Sequence, residues 1–125
     1  MKKEIVIPKG GAKPLAPYSP AIKTGQFVFT SGQIGIDPET GKLILGGVKA
    51  ETRQALFNLE SVLKAAGASL ENVVKVTVYI KEIQDYSLVN EVYGEFFKED
   101  PPARSIVQGK LPASAYVEFD AVAII

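Results

Sequence analysis

With 125 residues, 46% of them hydrophobic and 22% charged, the chain has the composition of one folded domain around a single core, spanning residues 1–125. Fourteen Lys and Arg balance fourteen Asp and Glu, which leaves no basic footprint for nucleic acid. No apolar run approaches the roughly 20 residues of a membrane span, and the charged start from Met1 to Pro8 lacks a signal-length apolar stretch, so the expectation is a cytoplasmic protein.

The chain has no Cys and no His. Disulfides, thiolate nucleophiles, thiolate or imidazole metal ligands and Ser-His-Asp triads are therefore excluded. Any catalysis falls to Arg, Lys, Glu, Asp, Tyr, Ser, backbone groups and water. No clustered carboxylate motif points to a metal. Twelve of the positive residues are Lys, and the only arginines are Arg53 and Arg104. A chain that spends Lys on routine surface charge keeps Arg for places that need a planar fork of donors.

In chain order, Lys9–Pro14 is loop-like, and Pro17 and Pro20 bracket Tyr18 in a constrained, extended stretch. Phe27–Thr30 reads as a strand. Ser31-Gly32-Gln33 leads into a second strand at 34–36, with Gly32 and Gly35 marking a bulge or a close backbone approach. A turn over Asp37–Gly41 precedes a short strand at 43–45. From about Val48 to Ala66, Leu56, Leu59, Leu63 and Ala66 recur at helical spacing, and Gly67 ends the helix in the left-handed conformation. Val73–Ile80 alternates as a strand, with Val74, Val76, Val78 and Ile80 on one face.

Asp85 starts a second helix whose stripe is Tyr86, Val89, Tyr93, Phe96 and Phe97, stopped by Pro101-Pro102. Strands over 103–108 and 115–125 complete the chain. This order predicts an α+β, two-layer architecture: a mixed β-sheet with both helices packed on one face. Strands apolar on both sides, such as Phe27-Val28-Phe29, imply that the open face is covered by further copies of the chain.

The last two strands carry the candidate chemistry. Arg104, Ile106 and Gln108 share one face by alternation. Glu118 and Asp120 oppose Val117, Phe119, Ala121 and Ala123 in the final strand. The expectation is that Arg104, Glu118 and Asp120 lie together on the face away from the helices. Arg104 suits a carboxylate ligand, because two N–H groups meet both oxygens, and a partly desolvated Glu118 can accept a proton from water. An interface ion pair between Arg104 and either acid produces the same pattern. Taken singly, Tyr18 reads as a loop aromatic, Asn90 as a solvated helix residue and Ser31-Gly32 as a strand-end turn. Arg53 receives no role.

Six segments in order resemble the Rid (reactive intermediate deaminase, RidA/YjgF-type) family: Ala16-Pro17-Tyr18-Ser19, Phe29-Thr30-Ser31-Gly32-Gln33-Ile34, Val74–Tyr79, Val89-Asn90-Glu91-Val92-Tyr93, Pro102-Ala103-Arg104-Ser105 and Val117–Ala121. The resemblance implies a chorismate-mutase-like fold and a homotrimer with inter-subunit clefts. It implies hydrolysis of 2-iminobutanoate and 2-iminopropanoate, intermediates released by pyridoxal-phosphate enzymes such as threonine dehydratase, to 2-oxo acids and ammonia without a cofactor.

Position by position, it implies that Arg104 grips the substrate carboxylate, that Glu118 orients or activates water, and that Tyr18, Ser31, Gly32, Asn90 and Ile106 line the cleft. Ile106 stands where many members carry Cys, and the loop from Gln108 to Leu111 is one residue short of the usual length. A non-catalytic ligand-binding or regulatory trimer, with a translation-inhibitor or chaperone-like role, is the rival reading. No stable nucleic-acid or membrane partner is expected.

Overall fold

In the computed structural model, which describes residues 2–9, 14 and 16–125, six strands form one mixed sheet. The elements in chain order are β1 (Glu4–Val6), β2 (Ala21–Thr24), β3 (Phe27–Thr30), α1 (Val48–Ala65), β4 (Val73–Ile80), α2 (Tyr86–Phe96), β5 (Ala103–Gln108) and β6 (Val117–Ile124). The strand order is β1-β2-β3-β6-β4-β5. Only β4 and β5 pair in parallel, joined by the crossover through α2. β6 runs antiparallel to both β3 and β4 and separates them. The α+β, two-layer arrangement is the one the element order predicts. Residues 10–13 of the predicted opening loop lie outside the described residues.

The buried side of the sheet packs against the helices. α1 presents Ala55, Leu56, Leu59, Val62 and Leu63 to the β6 side of the sheet, where Phe119, Ala121 and Ala123 are buried, and Val76, Val78 and Ile80 of β4 belong to the same core. Burying each large side chain contributes about 1.5–3 kcal/mol. Helix α1 stops as its sequence predicts: Gly67 has φ +82°, its N–H donates to Lys64 O at 3.0 Å, and the Ala68 N–H donates to Leu63 O at 2.9 Å. These are the two hydrogen bonds of a Schellman motif, which needs a left-handed residue that glycine supplies without steric cost. Outside, α1 and α2 are tied by two ion pairs, Lys49 with Glu91 and Arg53 with Glu95 (3.0 Å). Among the described residues no helix is long and apolar enough to cross a membrane.

Several sequence expectations are corrected. β1 and β2 were absent from the predicted order. The segments 34–36 and 43–45 are not ladder strands but meet in a single bridge, Ile36 with Leu43. In β4 an irregularity between Val73 and Lys75 shifts the register against β6. Val73 is therefore buried and Val74 is 45% exposed, although plain alternation places Val74 in the core. In α2, Val92 joins Val89 and Tyr93 in the core, whereas Tyr86 remains largely exposed.

Gly35 is the close approach that the sequence anticipates. A Cβ there would stand 2.8 Å from the carbonyl oxygen of Glu51 and 2.9 Å from its Cα, backbone atoms that cannot swing away. Gly35→Ala is expected to destabilise the protein by about 1–3 kcal/mol, the usual range for overpacking. Urea denaturation checks this, and an unchanged midpoint would contradict the proximity.

Candidate active site

Arg104 projects from edge strand β5 toward α2. Its register partner across β4 is Val76, which pairs in turn with Ala121 of β6, and both partners are buried beneath the helices. Arg104 therefore lies on the helix side of the sheet. Its Nη1 donates to Asn90 Oδ1 at 2.9 Å and its Nη2 to the Tyr86 hydroxyl at 3.1 Å. The guanidinium carbon lies 4.8 Å from the centre of the Tyr93 ring, a cation–π distance. Ile106 follows two residues along on the same side, opposite Val78 and packed against the core.

The Tyr93 ring stacks on Phe119 and packs against Phe97, and its buried hydroxyl has no partner among the described residues. Burial pushes that phenol up to about 12, with Arg104 pulling the other way.

Glu118 lies on the other face. It pairs with Tyr79 across β4 and shares its side of the sheet with Asp120, Thr77 and Lys75. Burial, and then the negative charge of Asp120, hold its carboxyl above the usual carboxylate range. The carboxylate nests against Gly32: a Cβ at that position would stand 2.6 Å from Glu118 Cδ. The Gly32 segment is held there by reciprocal backbone hydrogen bonds between Gln33 and Phe119, at 2.8 and 3.0 Å. Ser31 is fixed from the other direction. Its N–H donates to Pro20 O at 2.9 Å, and its Oγ donates to Ser19 O at 2.6 Å, beside the exposed Tyr18.

The predicted residues therefore form two groups. Arg104, Asn90 and Ile106 belong to the β5–α2 edge. Ser31, Gly32 and Glu118 gather on the open face, next to the Tyr18 segment. The expectation that Arg104 shares a face with Glu118 and Asp120 is wrong. The parallel pairing with Val76 carries Arg104 to the opposite side, and β4 lies between β5 and β6. Within one chain, Arg104 and Glu118 do not converge.

Three contributors were missed as site residues. Tyr86 and Tyr93 were read only as a packing stripe, yet they contact Arg104. Glu51 is 5% exposed and accepts the Tyr116 N–H at 2.9 Å, tying the start of α1 to the strand that carries Glu118. Burial raises its pKa, opposed by that N–H and by Lys81. The signal was present in the sequence: Glu51, Ala55 and Leu59 follow one another at intervals of four, placing a carboxylate on the apolar stripe. Lys75 donates to Ser105 Oγ at 2.7 Å, and Arg53 is engaged with Glu95 on the helix exterior.

A family model described as endoribonuclease L-PSP matches residues 10–125. A RutC family protein of Pyrococcus abyssi is 47% identical over 124 residues, which cover 98% of each chain. The human 2-iminobutanoate/2-iminopropanoate deaminase is 46% identical over 88% of this chain and 81% of its own. The crystal structure of E. coli TdcF with bound serine superposes with a TM-score of 0.91 at 35% identity, covering 98% of both chains.

The raised Glu118 pKa has a thermodynamic sign. The folded state binds this proton more tightly than the unfolded chain, so the contribution is present below the unfolded value of about 4.3 and is lost as pH rises through the folded value. Glu118→Gln removes that loss. Its unfolding free energy relative to wild type is expected to climb as pH rises above the unfolded carboxylate value of about 4.3. Parallel urea titrations of the two proteins test this, and a constant difference across the range would argue against a desolvated carboxylate.

Proposed function

The chain belongs to the RidA/YjgF family, and on that premise we propose that it hydrolyses small 2-imino acids, 2-iminobutanoate and 2-iminopropanoate, to 2-oxo acids and ammonia in the cytoplasm. The observation that carries this reading is the pair of half-sites: a braced guanidinium at one edge and a partly desolvated carboxylate on the opposite face. Arg104 has five N–H donors and two are engaged by Asn90 and Tyr86, so three remain for a ligand carboxylate. The 46% identity to the human deaminase supports the reaction. The serine bound to E. coli TdcF supports a small amino-acid-like ligand.

The half-sites meet when copies of the chain assemble, with the β5–α2 edge of one against the open face of the next in a homotrimer. The open face offers apolar surface for this: Ile5, Phe27, Phe29 and Ile124 are all at least 40% exposed. In the resulting cleft Arg104 grips the substrate carboxylate, and Asn90 and Ile106 shape that wall. Tyr18, Ser31 and Gly32 form the other wall, with Glu118 beside the imine carbon. That carbon is already electrophilic. Glu118 takes a proton from water as the water oxygen bonds to that carbon and the C=N π pair moves to nitrogen, and it passes this proton to nitrogen to give the neutral carbinolamine. The carbinolamine hydroxyl then gives its proton to Glu118, its oxygen forms the C=O bond as the C–N bond breaks, and nitrogen takes the proton from Glu118 and leaves as ammonia. The resident groups suffice for this sequence, since positioning and one proton carrier do the work.

Binding without turnover is the rival, and the bound serine of E. coli TdcF is compatible with it. The endoribonuclease description of the family model receives little support from a chain with zero net charge, because RNA affinity draws on positive surface.

With threonine dehydratase generating the imine in place, the wild-type protein is expected to accelerate ammonia release. Arg104→Ala is expected to lose on the order of 100-fold in kcat/KM, as befits two charge-assisted hydrogen bonds. Release at the uncatalysed rate, with 2-oxobutanoate still bound, would favour the rival. A second measurement addresses the split site. Arg104→Ala and Glu118→Ala chains, each strongly impaired alone, are expected to regain about one quarter of wild-type activity when co-refolded in equal amounts, because random mixing reunites intact half-sites. No recovery would place both residues in a single copy's site.

A further inference from the structure

We infer that the Tyr86 hydroxyl is a positioning group for Arg104, holding the guanidinium ready for a planar carboxylate before any ligand arrives. This rests on the deaminase reading above and concerns how the Arg104 half of the site is held. An arginine on an edge strand is a long side chain free to sample many rotamers, and a ligand that must order it loses affinity. Three contacts from one helix remove that freedom. Asn90 takes one terminal nitrogen, the Tyr86 hydroxyl takes the other, and the Tyr93 ring lies against the guanidinium face.

Tyr86, Asn90 and Tyr93 are spaced by four and three residues, so they project from the same face of α2. This face is aimed at β5. It accounts for a tyrosine that fits the helical stripe and yet remains 42% exposed: its ring reaches past the core to the strand edge. Its oxygen accepts from Arg104 Nη2 at 3.1 Å. Hydrogen bonding from Asn90, and then the positive charge of Arg104, hold the phenol below its usual pKa. Because Nη1 is held by Asn90 and Nη2 by this hydroxyl, the two contacts together fix the rotation of the guanidinium plane, which a ring alone does not do.

Tyr86→Phe keeps the ring and deletes only the acceptor. Relative to wild type it is expected to raise the dissociation constant for 2-oxobutanoate about 3- to 10-fold, the range of one net hydrogen bond. KM in the coupled assay should rise in proportion, with kcat within about twofold and the melting temperature unchanged, since the hydroxyl is not buried in the core. In an Arg104→Ala background the same substitution should have no effect on binding, because the two residues act as a unit.

A Tyr86→Phe protein that binds 2-oxobutanoate as tightly as wild type overturns the brace while leaving the deaminase reading intact. An equal loss with and without Arg104 overturns it too, by making Tyr86 an independent contact. If the wild-type protein neither binds 2-oxobutanoate nor releases ammonia, the deaminase reading fails instead. The brace is then judged by nitrogen-15 relaxation of the Arg104 side chain: faster motion in Tyr86→Phe supports it, and unchanged motion overturns it.

Discussion

A strand turns successive side chains to opposite faces, and in β5 this rule meets a parallel register that sets Arg104 beside the buried Val76. The arginine is thereby carried to the helix side of the sheet, at an edge where no further strand covers it. The rest of the site depends on that placement. Asn90, Tyr86 and Tyr93 reach Arg104 because α2 packs above the same side. Glu118 falls on the reverse side because its own register partner is Tyr79. A slip of one residue between β4 and β5 would take Arg104 away from α2 and put it on the face of Glu118, which would change a divided site into an ion pair.

How much of this the sequence carried depends on how different the two faces of each strand are. β6 was legible because Val117, Phe119, Ala121 and Ala123 alternate with Glu118 and Asp120, and only one set can be buried. β5 was not. Arg104, Ile106 and Gln108 are as mixed as Ser105 and Val107, so alternation shows which residues share a face but not which face it is. That information resides in the pairing with Val76, a long-range fact.

The same limit explains Val74. An irregularity against β6 reverses its side, and no local signal marks it. β1 and β2 were missed because they are three and four residues long and are held by their partners. Helix α1 was legible at both period and end, down to the left-handed Gly67, whereas α2 ends at Phe96, ahead of the predicted Pro101-Pro102 stop. Arg104 and Glu118 stood out by alternation and chemistry, their roles and the remaining candidates came from the family resemblance, and the structure supplied their grouping.

The sheet also divides its solvent exposure unevenly. One row of register partners runs Ile5, Ile22, Phe29, Val122, Lys75 and Ala103 across all six strands, on the side away from the helices. Its first four members are aliphatic or aromatic. Leaving such a row in water forgoes roughly 25 cal/mol for each Å² of apolar area that could be buried. A polar corner built from Glu118, Asp120 and Lys75 interrupts this surface, so the charged groups occupy a defined island within a largely apolar field.

The two ion pairs on the helix exterior have a consequence for that arrangement. Lys49 and Arg53 are one turn apart on α1, and their partners Glu91 and Glu95 are one turn apart on α2. The pairs therefore act as a vernier between parallel helices. Sliding α2 by a turn, about 5.4 Å, would match one charge of each helix and strand the other. Exposed pairs add little to stability, but their spacing permits one axial setting, and that setting fixes the height of Asn90 and Tyr86 relative to the guanidinium they hold.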